Sequence, residues 1–162
     1  MTPFLPSPET RLAELGIQLG SATRPIANFL PAKLVGTTLY VSGHASLRPG
    51  AALVGEVGRD VTKEQAYLAA REVMIDMLGS ARAVLGSLDR VATVVKLLGM
   101  VHCSEDFTAQ PAVINGASDL LVEIFGEEAG RHARSAIGVR QLPNNAAVEI
   151  EMILEVKRGS RA

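Results

Sequence analysis

The chain is 162 residues long, 48% hydrophobic and 20% charged, with a formal net charge of -1. These totals are typical of one globular domain with a full core, and they exclude a disordered or fibrous chain. The charge gives no basic excess for nucleic acid, one cysteine excludes an internal disulfide, and no apolar run approaches the roughly 20 residues of a membrane helix.

The first third of the chain predicts one short helix and up to three strands. Residues 8–15 predict a helix that ends at Gly16, and residues 1–16 lack the pattern of a secretory signal. Residues 24–33 contain two prolines and predict an edge strand, whereas 37–43 is a clearer strand. Residues 52–58 predict a short third strand. We expect a cytoplasmic location, which the single cysteine also fits.

The remaining two thirds predict two helices and three strands. Thr62 and Gln65 form a capping-box pattern at the start of a helix that runs to Gly86, and a second helix spans about 111–125. Strands are predicted at 91–103 and at either side of a Pro-Asn-Asn turn within 132–156. This order predicts a single α+β domain, residues 1–162, with two helices packed on one face of a mixed sheet.

The strands indicate a second layer that this chain does not supply. In the last strand Val148, Ile150 and Met152 alternate with Glu149 and Glu151, so one face is apolar. The strand at 91–103 is apolar on both faces, which requires cover on both sides. Two helices cover one side only, so we expect a closed symmetric oligomer to cover the other.

Arg134 is the most informative single residue. It lies in a strand among small and apolar neighbours, and a buried arginine needs a partner for its planar fork of donors. A carboxylate ligand and a structural glutamate both satisfy that need. If the aliphatic Ile137 and Val139 face the helices, Arg134 shares the other face with Glu149, beside the small Ala136.

Three segments carry a resemblance to a known family. They are LYVSGHAS (39–46), DFTAQPAVINGASDLL (106–121) and HARSAIGVRQLPNNAAVEIEMI (132–153). They resemble the RidA/YjgF family of reactive-intermediate deaminases, some of which are called L-PSP endoribonucleases. The resemblance covers roughly residues 24–158, and residues 1–23 look like the N-terminal extension of a longer-chain branch.

The resemblance implies a chorismate-mutase-like α+β fold and a homotrimer with a ligand cleft at each subunit interface. It implies hydrolysis of 2-aminoacrylate-type enamines or imines to a 2-keto acid and ammonia, without cofactor or metal. The arginine that matches Arg134 binds the substrate carboxylate, and the glutamate that matches Glu149 helps water to attack. Gly43 matches a glycine that offers backbone contacts, and Asn115 matches an asparagine of the cleft.

Three positions depart from the family pattern. Ala136 replaces a frequent cysteine, Phe29 replaces a tyrosine, and His44, which we expect to line the cleft, replaces a glutamine. The first two remove polar groups from the expected cleft. A trimeric protein that binds small carboxylates or keto acids without turnover therefore stays an alternative. An endoribonuclease fits less well, because the chain has only 4% aromatic residues to stack on bases.

Overall fold

The computed structural model describes residues 6–21 and 27–158. Its helices and strands are, in chain order, α1 (Pro8–Glu14), β1 (Ala32–Val35), β2 (Thr38–Ala45), α2 (Lys63–Leu85), β3 (Val91–His102), α3 (Gln110–Gly130), β4 (Ala133–Val139) and β5 (Val148–Val156). The strands form one sheet in the order β1-β2-β5-β3-β4. Only the β3–β4 pairing is parallel, so the predicted mixed α+β sheet is confirmed.

Helix α2 begins and ends as the sequence predicts. The Thr62 hydroxyl accepts from the Gln65 amide at 3.1 Å, and the Gln65 side chain accepts from the Thr62 amide at 2.9 Å. Gly86 follows the helix with a φ of 81°, a conformation that favours glycine. The regular part of helix α3 ends where the sequence predicts, because Gly126, with a φ of 78°, leaves the helical conformation, and a short second helical segment then runs to Gly130.

Both long helices cover the same face of the sheet. Helix α2 packs on β2 and β5, while α3 packs on β3 and β4. The apolar residues of β5 lie beneath them, and Val148, Ile150 and Leu154 are fully buried, as the alternation predicts. Among the described residues no helix covers the opposite face, where Tyr40 and Ile137 are 49% and 45% exposed. We call this the open face of the sheet.

The predicted edge strand at 24–33 is wrong in its position. Of that stretch, residues 27–31 are bent chain, pairing begins only at Ala32, and residues 24–26 lie outside the described residues. Pro31 has no amide hydrogen to donate, which fits a strand that starts just after it.

The predicted third strand at 52–58 is reduced to isolated bridges. Val54 bridges to Ala146 and Val57 to Cys103. Gly55 and Gly58 have φ values of 115° and 94°, so the chain cannot stay extended between them. None of the described helices is long and apolar enough to cross a bilayer.

Candidate functional site

Arg134 lies on the helix-covered face of the edge strand β4. It pairs with Leu97 of β3, which in turn pairs with Met152 of β5, and both of those side chains are buried beneath the helices. The guanidinium reaches α3, where Nη1 donates to Asn115 Oδ1 and to Ser118 Oγ, each at 2.9 Å. Edge strand and helix together hold this side chain in one orientation.

These two contacts use only Nη1, so they do not involve the edge of the guanidinium that Nε and Nη2 form. Nη1 carries two hydrogens, and Asn115 and Ser118 accept both. Within the described part of the chain, no group accepts from Nε or Nη2 of Arg134, and no carboxylate pairs with it. Nε–H and one Nη2 hydrogen point the same way, which is the geometry that binds both oxygens of a carboxylate.

His132 extends the network behind Arg134, although no sequence pattern selects it as a site residue. Its Nδ1 donates to the Gly130 carbonyl at 2.7 Å, and its Nε2 lies 3.0 Å from Ser118 Oγ. Burial lowers the pKa of His132, and the charge of Arg134 lowers it further, against the opposite effect of the Gly130 hydrogen bond. We call Asn115, Ser118, His132 and Arg134 the arginine corner.

Glu149 lies on the open face, on the central strand β5. Its neighbours across the sheet are Ala45 of β2 and Met100 of β3. The side chain is half-buried, and this burial raises the pKa of Glu149, with a further increase from the charge of Glu151. Such a carboxylate holds its proton more strongly than an exposed one and is a better base once ionised.

Gly43 makes room for that carboxylate. The pairing of β2 with β5 shifts register between Val41 and His44, so the chain bulges beside Glu149. A Cβ added at Gly43 would collide with Glu149 Oε1 and come within 3.3 Å of its Cδ. The bulged glycine and the carboxyl group are therefore in direct contact. We call Gly43, Glu149 and Glu151 the glutamate patch.

The expectation that Arg134 and Glu149 share a face is wrong. Leu97, the partner of Arg134, and Met100, the partner of Glu149, are three residues apart on a regular stretch of β3 and so point to opposite faces. The strands that carry them, β4 and β5, are two strand spacings apart, about 10 Å. One chain thus presents two separate half-sites.

Small residues explain the reversed face. Helix α3 lies so close to β3 that a Cβ on Gly99 would meet the Ile114 side chain at 2.5 Å. Ala136, the β4 neighbour of Gly99, packs against the same core, while Ile137 is exposed on the open face. The small residues at these positions allow helix α3 to approach the sheet.

His44 and Phe29 do not join either half-site. The His44 ring is 8% exposed beneath α2, where Nδ1 donates to the Ser42 carbonyl at 2.8 Å and Nε2 lies 2.9 Å from Ser80 Oγ. The expectation that His44 lines a cleft is therefore wrong, because the bulge turns it to the helix side. Phe29 lies in the bend before β1 and is 48% exposed.

In residues 6–21 and 27–158, no three side chains of histidine, cysteine, aspartate or glutamate are grouped as a metal site. The arrangement offers instead an oriented cation with open donors and, elsewhere, a half-buried carboxylate with a raised pKa. Such groups bind an anion and move a proton, respectively.

Comparisons with known proteins agree with this fold. A family model described as "YjgF/chorismate_mutase-like, putative endoribonuclease" matches residues 9–156. Protein TCP17 of Trypanosoma cruzi is 43% identical over 146 residues, which cover 90% of this chain and 91% of TCP17. The crystal structure of a protein with unknown function from Agrobacterium tumefaciens is 42% identical, with a TM-score of 0.84 over 93% of this chain and 92% of that one.

A third relative is named for a reaction. The 2-iminobutanoate/2-iminopropanoate deaminase of the mite Dermatophagoides farinae is 30% identical over 138 residues, which cover 84% of this chain and 91% of the mite protein. Its name states the chemistry of that protein, which is deamination of short 2-imino acids.

Proposed function

The chain belongs to the YjgF/chorismate-mutase-like family, and from this premise we propose that it hydrolyses reactive 2-imino acids and their enamines to 2-keto acids and ammonia. The observation that carries the proposal is the open edge of Arg134, formed by Nε and Nη2. A 2-imino acid has a carboxylate next to its reactive carbon. Binding of that carboxylate places the imine carbon a fixed distance from the guanidinium.

In this proposal Glu149 is the base that activates water. An imine carbon is already electrophilic, so the protein needs to orient it and to remove one proton from the attacking water. Addition of water forms a C–O bond and gives a carbinolamine. Glu149 takes one proton from the attacking water and passes it to the imine nitrogen, which becomes the amino group. It then takes the carbinolamine hydroxyl proton and transfers it to that amino group as the C–N bond breaks, which releases ammonia and leaves the carbonyl of the keto acid. The raised pKa of Glu149 suits both transfers.

The two half-sites meet, in this proposal, between copies of the chain. Arg134 and Glu149 lie on opposite faces of one sheet, so a cleft that contains both needs Arg134 from one protomer and Glu149 from its neighbour. The open face, where Tyr40 and Ile137 are exposed, is the surface that a neighbour would cover. We propose a homotrimer, in which each interface forms one such cleft.

One alternative keeps the cleft but removes turnover. Neither Phe29 nor Ala136 joins a half-site or carries a polar side chain, so the chain could hold a keto acid or similar carboxylate without hydrolysing it. Both versions place the ligand carboxylate on Arg134. They differ only in whether ammonia is released.

The test is ammonia release from 2-aminoacrylate or a longer imino acid, generated in situ by an amino-acid dehydratase or oxidase. We expect the wild type to exceed the uncatalysed rate and Arg134→Ala to lose about 100-fold or more of kcat/KM, the usual cost of an unpaired bound charge. Arg131→Ala is the matched control, since Arg131 is exposed and pairs with Glu127 at 2.6 Å. It should stay near wild type.

Absence of any acceleration across small and bulky imino acids would reject the deaminase for those substrates. Thermal stabilisation of the wild type by 2-oxobutanoate, lost in Arg134→Ala but kept in Arg131→Ala, would then establish the binding protein instead.

A further inference from the structure

We propose that His132, acting through Ser118, is a positioning residue that holds the Arg134 guanidinium ready for its ligand only while the imidazole is neutral. The inference deepens the proposed function, since the ligand concerned is the carboxylate of an imino or keto acid. The whole network lies within one chain.

The direction of each hydrogen bond follows from its end points. The Gly130 carbonyl can only accept, so Nδ1 of His132 carries the hydrogen, and Nε2 of the neutral ring is an acceptor. Ser118 therefore donates its hydroxyl hydrogen to Nε2. This leaves the lone pairs of Ser118 Oγ for Arg134 Nη1, which donates to them at 2.9 Å.

This arrangement gives His132 a role beyond the hydrogen bond that Arg134 donates to Ser118. A free serine hydroxyl rotates, and in some rotamers it points its hydrogen at the cation. His132 fixes the hydroxyl with its oxygen toward Arg134. Asn115 holds the second hydrogen of Nη1, so the guanidinium plane is set by two neutral acceptors.

Protonation of His132 would reverse the hydrogen bond between Ser118 Oγ and Nε2. Nε2 would then carry a hydrogen and donate to Ser118 Oγ, which would face donors from both His132 and Arg134 and would have to turn its own hydrogen elsewhere. Two positive charges would also lie on either side of one hydroxyl. The expected result is a guanidinium that is less well held.

The charged groups around the ring support this response. Arg134 on β4 disfavours the imidazolium, and α3 contributes only the Ser118 hydroxyl and the Gly130 carbonyl. At the end of α3, Glu127 is paired with the exposed Arg131. On β3, Lys96 donates to Ser135 on the open face of the sheet. No carboxylate of the described residues contacts His132 to stabilise its charge.

The experiment measures Arg134 and the ligand separately, on the full chain. NMR order parameters of the Arg134 Nε–H bond, without ligand, report how firmly the side chain is held. We expect wild-type order to fall as pH falls through the His132 titration. Ser118→Ala should be mobile at every pH, and Ser118→Thr, which keeps the hydroxyl, should resemble the wild type.

His132→Gln is the informative variant, because an amide oxygen can accept from Ser118 but does not titrate. The order parameter of Arg134 in this variant should be independent of pH.

Calorimetric titration with 2-oxobutanoate above the His132 pKa should show about tenfold weaker binding for Ser118→Ala, the usual cost of one hydrogen bond to a charged group. In turnover assays, Ser118→Ala should raise KM and leave kcat near wild type.

The outcomes separate the two proposals. If Arg134 order is unchanged in Ser118→Ala, or if His132→Gln keeps the wild-type pH response, the positioning role is refuted, whether or not ligand binds. If the NMR pattern is as expected but neither 2-oxobutanoate nor imino acids interact with the wild type, the positioning role of His132 is supported and the proposed function is refuted.

Discussion

The arginine corner and the glutamate patch are built on opposite principles. The corner surrounds a permanent cation with neutral acceptors and leaves two donors open at the sheet edge. The patch presses one carboxylate against a glycine and beside a second carboxylate, on the central strand. Each half-site therefore lacks the opposite charge, and each would gain it from a substrate or from a neighbouring copy.

The largest expected effect comes from placing the Arg134 and Glu149 substitutions on different subunits and then mixing those subunits. Arg134→Ala and Glu149→Gln should each be nearly inactive as pure proteins, the second by about 100-fold or more because a general base is lost. Unfolded and reassembled together in equal amounts, they should recover activity. If Arg134 and Glu149 act across one interface, about a quarter of the interfaces in a random mixture pair two intact groups.

The control for this experiment is a mixture that cannot complement. Arg134→Ala mixed with the double variant Arg134→Ala/Glu149→Gln should recover nothing, because no subunit carries the arginine. Failure of the first mixture to exceed the second, with mixed oligomers verified by native mass spectrometry, would show that one chain forms its own site.

Gly43→Ala should separate the patch from the corner. The new Cβ would occupy the place of Glu149 Oε1, so the carboxylate must move while Arg134 stays untouched. We expect kcat to fall by about 100-fold, as for loss of a positioned base, with little change in 2-oxobutanoate affinity. Gly20→Ala is the matched control, because a Cβ there meets nothing within 4 Å. Equal kcat in both variants would contradict the role of Gly43.

Asn115→Ala should affect the corner alone. It removes one of the two acceptors on Arg134 Nη1, so the guanidinium stays charged but is held at one point instead of two. We expect KM to rise about tenfold with kcat near wild type, since a hydrogen bond to a charged group is lost. A fall in kcat at unchanged KM would place Asn115 in the chemical step instead.

Local signals made most of the fold predictable. The Thr62 capping box and the alternation of Val148, Ile150 and Met152 each depend on neighbours within a few residues, and both are confirmed. The short strand pairings at β1 and at 52–58 depend on Pro31 and on backbone angles at glycine, and there the predictions were wrong. The homotrimer stays a prediction.

The sequence motifs selected part of the candidate site but not its geometry. The motifs selected Arg134, Asn115, Gly43 and Glu149, and the structure brings Asn115 to Arg134 and Gly43 to Glu149. It also separates the two pairs, because Gly99 lets α3 approach the sheet and so decides which face of β4 is covered. A glycine that admits a helix looks, in sequence, like one that admits a ligand.

The smallest expected effect concerns Glu151, which tunes the patch without touching the corner. Its charge contributes, after burial, to the raised pKa of Glu149, so Glu151→Gln should lower that pKa toward its ordinary value. Glu149 acts as a base only when ionised, and a raised pKa places the acidic limb of the kcat profile at higher pH than an exposed glutamate would. The acidic limb should therefore move to lower pH in Glu151→Gln.

Glu155→Gln is the control, because Glu155 lies further along β5 and is not among the causes of the Glu149 pKa shift. An unmoved limb in Glu151→Gln, beside a limb that His132→Gln does move, would assign the acidic titration to the arginine corner instead of the glutamate patch.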